Sequence, residues 1–253
     1  RQGYGCCGSK LWSESDTLIE RFPYERYIPE MIYLRPEVEV VKTRTLRGSA
    51  YIDFPVSRTE IYPDYHDNRN ELLRITGTID SVKNDSDITI RHLSIKGFAS
   101  PESPYKNNTR LAKGRTASLK AYVEDMYHFG EGFIDTSFEP ENWEGLEAYV
   151  ESSALPHRNE VLAAIRSDRE PDNKEWFIKS NWPDDYRYLL DNCYPRLRRS
   201  DYIIEYEIRS YTTPEEIEVI MFTAPQKLSL EEFYVLAESY EQGSEAYNEV
   251  WGT

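Results

Sequence analysis

Residues 95–120 read IKGFASPESPYKNNTRLAKGRTASLK, and this stretch decides the fold. It opens on the end of an apolar alternation over 88–98, which predicts a β-strand. A turn rich in Pro and Ser follows. Apolar residues then recur at helical spacing, which predicts a helix over 107–127 with Asn107 or Asn108 as its N-cap. A polar turn therefore connects a buried strand to an amphipathic helix.

Four polar side chains gather around this turn. Ser100 and Glu102 follow the strand, and Asn108 and Arg115 belong to the helix. Asn108, Leu111 and Arg115 are spaced i, i+3 and i+7, so they share one side of the helix.

The flanking sequence repeats the alternation of strand and helix patterns. The predicted order is β-α-β-α-β, then helices, then β, which is typical of an α+β two-layer sandwich whose sheet is covered by helices on one face. The predicted strands cover 38–45, 50–54, 88–98, 132–138 and 202–208, the first of them assigned to the tail of the upstream region. The predicted helices cover 63–82, 107–127, 141–152, 156–166, 174–178, 183–192, 214–222, 229–241 and 244–251.

Three regions follow from this pattern. Residues 1–49 are interpreted as an extended segment, the tail of an upstream β-rich domain and a linker. Residues 50–209 form the α+β core, with a helical insertion at about 139–192. Residues 210–253 are C-terminal helices, with the start of a helical-repeat region as one interpretation.

The composition and charge of the chain argue against some classes of function. The chain has 253 residues and a formal net charge of -15, a field that repels nucleic-acid phosphates. The basic residues at 196, 198 and 199 are interpreted as a solvated entry to the last strand. No apolar run approaches the ~20 residues that span a bilayer, so no transmembrane segment is expected. Because the chain begins at Arg1, we interpret it as a fragment.

The sequence lacks a pattern for catalysis or metal binding. The cysteines, at 6, 7 and 193, do not have the spacing of a zinc site, and no histidine has a second histidine at i+4. Nucleophile-elbow, dinucleotide and phosphate-loop motifs are also missing from the sequence. We therefore expect a protein without catalytic residues, metal or cofactor, and not an enzyme.

Several of these segments resemble the OmpA-like domain of Gram-negative envelope proteins. Residues 52–61 resemble the opening strand of that domain and its turn into the first helix. Residues 95–100, with the Asn108-x2-Leu111-Ala112-x2-Arg115 run, are similar to its second strand and helix opening. More narrowly, 34–39 and 48–55 resemble the junction in Bacteroidetes proteins that pair a β-rich domain of unknown function with an OmpA-like domain. Those proteins are associated with fimbriae and the outer membrane.

The resemblance implies non-covalent binding of peptidoglycan in the periplasm or at the outer membrane. In the family, an Asp after the second strand and an Arg in the second helix grip diaminopimelate of the stem peptide. Arg115 matches the Arg, which can clamp a carboxylate in bidentate fashion. Ser100 stands where the family has Asp, and Glu102 is the nearest acid that could replace it. Asn108 is either a ligand contact or a helix cap.

Two functions remain open. The first is a peptidoglycan anchor, which predicts an accessible Arg115 and an open groove between the end of the strand at Ser100 and the helix from Asn108. The second is a protein-interaction scaffold for envelope or fimbrial assembly, which predicts a closed or degraded groove and exposed apolar patches on the inserted or C-terminal helices. The alternative interpretation of Arg115 itself is a structural ion pair between the helix and the sheet. The tryptophans of the insertion, at 143, 176 and 182, are expected in its core, with sugar stacking as the alternative.

Overall fold

The structure, a computed structural model, describes residues 2–4, 6–13 and 36–252 in two compact units, Arg1–Pro36 and Glu37–Thr253. The described part of the first unit is an antiparallel pair of short strands, β1 (Gln2–Tyr4) and β2 (Lys10–Ser13). Cys6 and Cys7 lie between them, exposed and not bonded to each other. The rest of the predicted extended segment before residue 36 lies outside the described residues.

The second unit is built on a four-stranded sheet, and its mixed architecture confirms the α+β prediction. Its strands are β3 (Lys42–Ala50), β4 (Ile88–Phe98), β5 (Ile134–Glu139) and β6 (Ser200–Ile208), in the spatial order β3-β6-β4-β5. β6 is antiparallel to both of its neighbours, while β4 and β5 are parallel. The last of these four strands in sequence order therefore lies inside the sheet.

Two helices supply the other half of the core. α1 (Asn68–Lys83) and α2 (Tyr105–Tyr127) bury apolar side chains in one cluster with residues of the strands. Strand residues that alternate with these core positions point to the opposite face of the sheet. That face carries ion pairs between strands, such as His92 with Asp135 and Lys96 with Glu139. The sheet thus has one apolar face and one charged face.

Gly97 sets the distance between β4 and α2. A Cβ atom at this position would lie 1.9 Å from the Thr116 Oγ1 atom. Thr116 is fixed because its hydroxyl donates a hydrogen bond of 2.7 Å to the Ala112 carbonyl. Only glycine permits this close approach. It brings α2, with Arg115, directly over the end of β4.

The insertion is a separate helical layer with its own core. It contains α3 (Trp143–Ser152), α4 (Arg158–Arg166), α5 (Pro171–Asn181), α6 (Pro183–Asn192) and α7 (Tyr194–Leu197). Trp143 and Trp182 pack against this core as expected, whereas Trp176 is 65% exposed.

The C-terminal helices pack onto one end of the sheet. α8 (Pro214–Thr223), α9 (Leu230–Glu238) and α10 (Glu245–Gly252) share an apolar cluster with Ile208 and Tyr211. The predicted capping box at Ser229 and Glu232 is confirmed. Lys42 at the start of β3 donates to both carboxylate oxygens of Glu232 at 2.9 Å.

Several predicted boundaries were wrong. The predicted strand 38–45 overlaps β3 (Lys42–Ala50), but 50–54 is not a strand, because the backbone N–H groups of Tyr51 and Asp53 bond to side chains of α1, Glu71 and Asn68. Helix α5 is Pro171–Asn181 and not 174–178, and α9 ends at Glu238 and not at 241. Helix α1 begins at Asn68 and not at 63, and α4 begins at Arg158 and not at 156. Helix α2 begins at Tyr105, so neither Asn107 nor Asn108 is its N-cap.

None of the helices in the described ranges is both long and apolar enough to cross a membrane.

Candidate functional site

The predicted site residues come together at the C-terminal end of β4. The turn after this strand and the first turns of α2 enclose a pocket of about 120 Å³, called the Arg115 pocket here. Ala99 and Leu111 give it an apolar part. Its polar lining includes Ser100, Glu102, Asn108, Arg115 and Arg198.

Arg115 has a free charge on the wall of this pocket. Its Nε donates to the Arg58 carbonyl at 3.3 Å, and its guanidinium carbon lies 4.8 Å from the centre of the Phe54 ring. Among the described residues, no carboxylate forms an ion pair with it. Burial lowers the pKa of Arg115 to about 10, and the positive charge of Arg198 adds to the effect. The side chain is therefore positively charged at neutral pH, and within the described residues it does not form the structural ion pair that was the alternative interpretation of Arg115.

Glu102 is already engaged with a second arginine. Arg198 Nη1 lies 3.1 Å from Glu102 Oε1, with about a third of each side chain exposed. A half-exposed pair of this kind contributes little to stability, so its members can exchange partners at low cost. Glu102 therefore adds negative charge beside Arg115, although it does not contact that side chain directly.

Asn108 is buried and holds the turn in place. Its Nδ2 donates to the Ser103 carbonyl at 2.6 Å and to Glu141 Oε1 at 2.8 Å. Burial raises the pKa of Glu141, while hydrogen bonds from Asn108 and Trp143 act in the opposite direction. Both N–H groups of the Asn108 amide are thus occupied. A contact between Asn108 and a ligand stays a prediction.

Ser100 also lies in the floor of the pocket, with 2% of its surface exposed. Its side chain is uncharged, whereas the corresponding Asp of OmpA-like domains would carry a carboxylate. The floor at this position is therefore neutral, and the net charge contributed by Arg115, Arg198 and Glu102 is positive.

Arg198 was missed as a site residue. The sequence signal was the run of basic residues just before β6, which we interpreted as a solvated strand entry. The fold brings this run to the pocket because Gly97 in β4 is paired with Ser200 in β6. Because the long insertion separates β4 from β6 in the sequence, the sequence alone does not show that Arg198 lies beside the end of β4.

The described residues do not include a cluster of three or more His, Cys, Asp or Glu side chains that could hold a metal ion. Cys193, the buried cysteine, lies in the insertion core, and burial raises its thiol pKa to about 12. It is therefore a protonated thiol at neutral pH.

Comparison with models of known protein families finds none that matches this chain, and comparison with curated proteins finds no match either. The similarity to OmpA-like domains thus rests on the residues described above and stays a prediction.

Proposed function

We propose that this protein is a non-catalytic module of the cell envelope that binds peptidoglycan through the Arg115 pocket. One observation carries the proposal: Arg115 lines a pocket and has no carboxylate partner among the described residues. A desolvated guanidinium gains most from a ligand carboxylate, because charge-assisted bidentate hydrogen bonds are stronger than neutral ones.

The pocket suits the zwitterionic head of diaminopimelate. Arg115 would bind the carboxylate and Glu102 would bind the ammonium group, exchanging its contact with Arg198. Ser100 would accept one hydrogen bond in place of the acid found in OmpA-like domains. Arg198 would then be free to add a second positive charge near the carboxylate. The proposal places the protein in the periplasm, associated with the outer membrane.

A scaffold for envelope or fimbrial assembly is the second candidate. The observation that favours it is the exposure of large apolar side chains on α8, with Val219 60% and Phe222 61% exposed. Surface patches of this kind often contact other proteins. This function does not require the Arg115 pocket to bind a ligand.

Co-sedimentation with purified sacculi tests the first proposal against the second. We expect saturable binding by the parent protein and at least tenfold weaker binding by Arg115→Ala, since a charge-assisted contact is worth about 1.5–3 kcal/mol. Lys113→Ala is the matched control, because Lys113 is an exposed cation of the same helix. Equal binding by parent and Arg115→Ala, or no binding by the parent, would contradict the proposal.

A further inference from the structure

A second, larger pocket adjoins the Arg115 pocket. It has a volume of about 530 Å³ and lies between the turn after β4 and the insertion helices α5 and α6. We call it the insertion pocket. Glu102 and Ser103 line both pockets, so this turn lies between the two spaces. A ligand chain that passes over the turn would occupy both.

The insertion pocket presents two cations that are not held in close ion pairs by the described residues. Lys179 is exposed and lies 5.5 Å from the centre of the Tyr186 ring. Arg187 has its nearest carboxylate, that of Asp184, at 3.8 Å, and both side chains are at least 75% exposed. Such a surface pair is worth about 0–1 kcal/mol, so a ligand anion can replace Asp184.

The wall between these cations is rigid and partly apolar. Tyr186 is 5% exposed, and its hydroxyl donates to Glu175, which keeps that acid occupied. Leu190 continues the apolar surface along α6. The pocket thus combines an aromatic and aliphatic wall with two cations and one acid, Glu102, and the excess positive charge suits a peptide segment that carries a carboxylate.

We propose that the insertion pocket is a second subsite that binds another carboxylate of the same ligand, so that the protein recognises a peptide with at least two anionic groups. Arg115 would hold the first carboxylate, and Lys179 with Arg187 would hold the second. This inference rests on the proposed function. It assigns to the helical insertion a role in ligand selection, and the ligand chain would pass over Ser103.

Calorimetric titration with two soluble stem peptides tests the subsite. Both contain diaminopimelate; in one the remaining carboxylates are free, and in the other they are amidated. The parent protein should bind the free peptide about tenfold more tightly than the amidated one. The double variant Lys179→Ala, Arg187→Ala should bind both peptides alike, at the affinity of the parent for the amidated form.

The control is Lys83→Ala with Lys113→Ala, which removes the same number of exposed cations away from the insertion pocket. It should keep the tenfold preference, and circular dichroism should show that both double variants are folded. If the Lys179, Arg187 variant keeps the preference, or if the parent has none, the subsite is wrong while Arg115-dependent binding can still stand. If the parent binds neither peptide, both proposals fail.

Discussion

The Tyr194 hydroxyl is buried without a hydrogen-bond partner, the one such side-chain atom in the described parts of the chain. An unsatisfied buried polar group costs about 1–3 kcal/mol. We therefore expect Tyr194→Phe to raise the free energy of unfolding by about 1 kcal/mol, measured by urea denaturation. The matched control is Tyr186→Phe, whose ring lies 6.0 Å away and whose hydroxyl does have a partner, Glu175. That control should lower stability, and a loss of stability in Tyr194→Phe would refute the argument.

Asp87 makes stability depend on pH in the acid range. Burial alone would raise its pKa, but hydrogen bonds from Arg209, Lys227 and Tyr211 outweigh burial and hold the pKa at about 2. The unfolded chain takes up a proton near pH 4, before the folded protein does. The stabilisation by Asp87 is therefore complete above about pH 4 and is lost as the pH falls towards 2.

Asp87→Asn should consequently lower the free energy of unfolding by about 1–2 kcal/mol at pH 6. The difference from the parent should shrink to near zero at pH 2, as measured by urea denaturation across this range. Asp184→Asn is the control, since the Asp184 side chain is 94% exposed. A difference that stays constant from pH 6 to pH 2 would show that Asp87 does not titrate as argued.

The sequence predicted those residues of the candidate site that lie close together in the chain, and it did not predict the distant ones. Ser100, Glu102 and Arg115 lie around one turn, and the structure brings them to one pocket. Arg198 pairs with Glu102, 96 positions earlier in the sequence, and no local pattern predicts that contact. Lys179 of the insertion likewise lines a pocket together with residues of this turn. Local spacing thus indicates which residues share a turn, but the packing of distant elements completes the site.

At the scale of elements, one buried ion pair joins β3 to α9. The Lys42 ammonium contacts Glu232, which also accepts hydrogen bonds from the backbone N–H groups of Tyr211 and Ser229. Removal of one partner from such a pair leaves a buried charge and costs about 3–5 kcal/mol. We therefore expect Lys42→Met to lower the free energy of unfolding by this amount relative to the parent protein, as measured by urea denaturation.

The double variant Lys42→Met, Glu232→Gln should recover part of the loss, because no unpaired charge is left while an amide oxygen can still accept from the backbone. Lys83→Met, an exposed substitution on α1, is the control and should change stability by less than about 0.5 kcal/mol. A Lys42→Met variant as stable as this control would refute the role of the pair.

Elements with a clear period were predicted well, and the edge strand β3 was placed only in part. The pattern placed β4 and β6 correctly within two residues, because apolar residues alternate along most of each strand. A bulge between Ile90 and His92 shifts the alternation once in β4. The segment 50–54 also alternates, and Ile52 is buried, yet side chains of α1 take up its backbone N–H groups. Alternation reports burial of side chains, whereas a strand also requires a backbone partner, which sequence periodicity does not reveal.

At the scale of the whole molecule, the position of β6 determines the order in which the sheet can assemble. β6 lies between β3 and β4, and of the four strands of this sheet it is the last to leave the ribosome. Until residues 200–208 are synthesised, the nascent chain holds two strands with open edges, which are prone to pair with other chains. Contacts between residues so far apart in sequence also slow folding. The sheet is therefore closed in one late step, and a nascent chain that stalls before residue 200 exposes both edges at once.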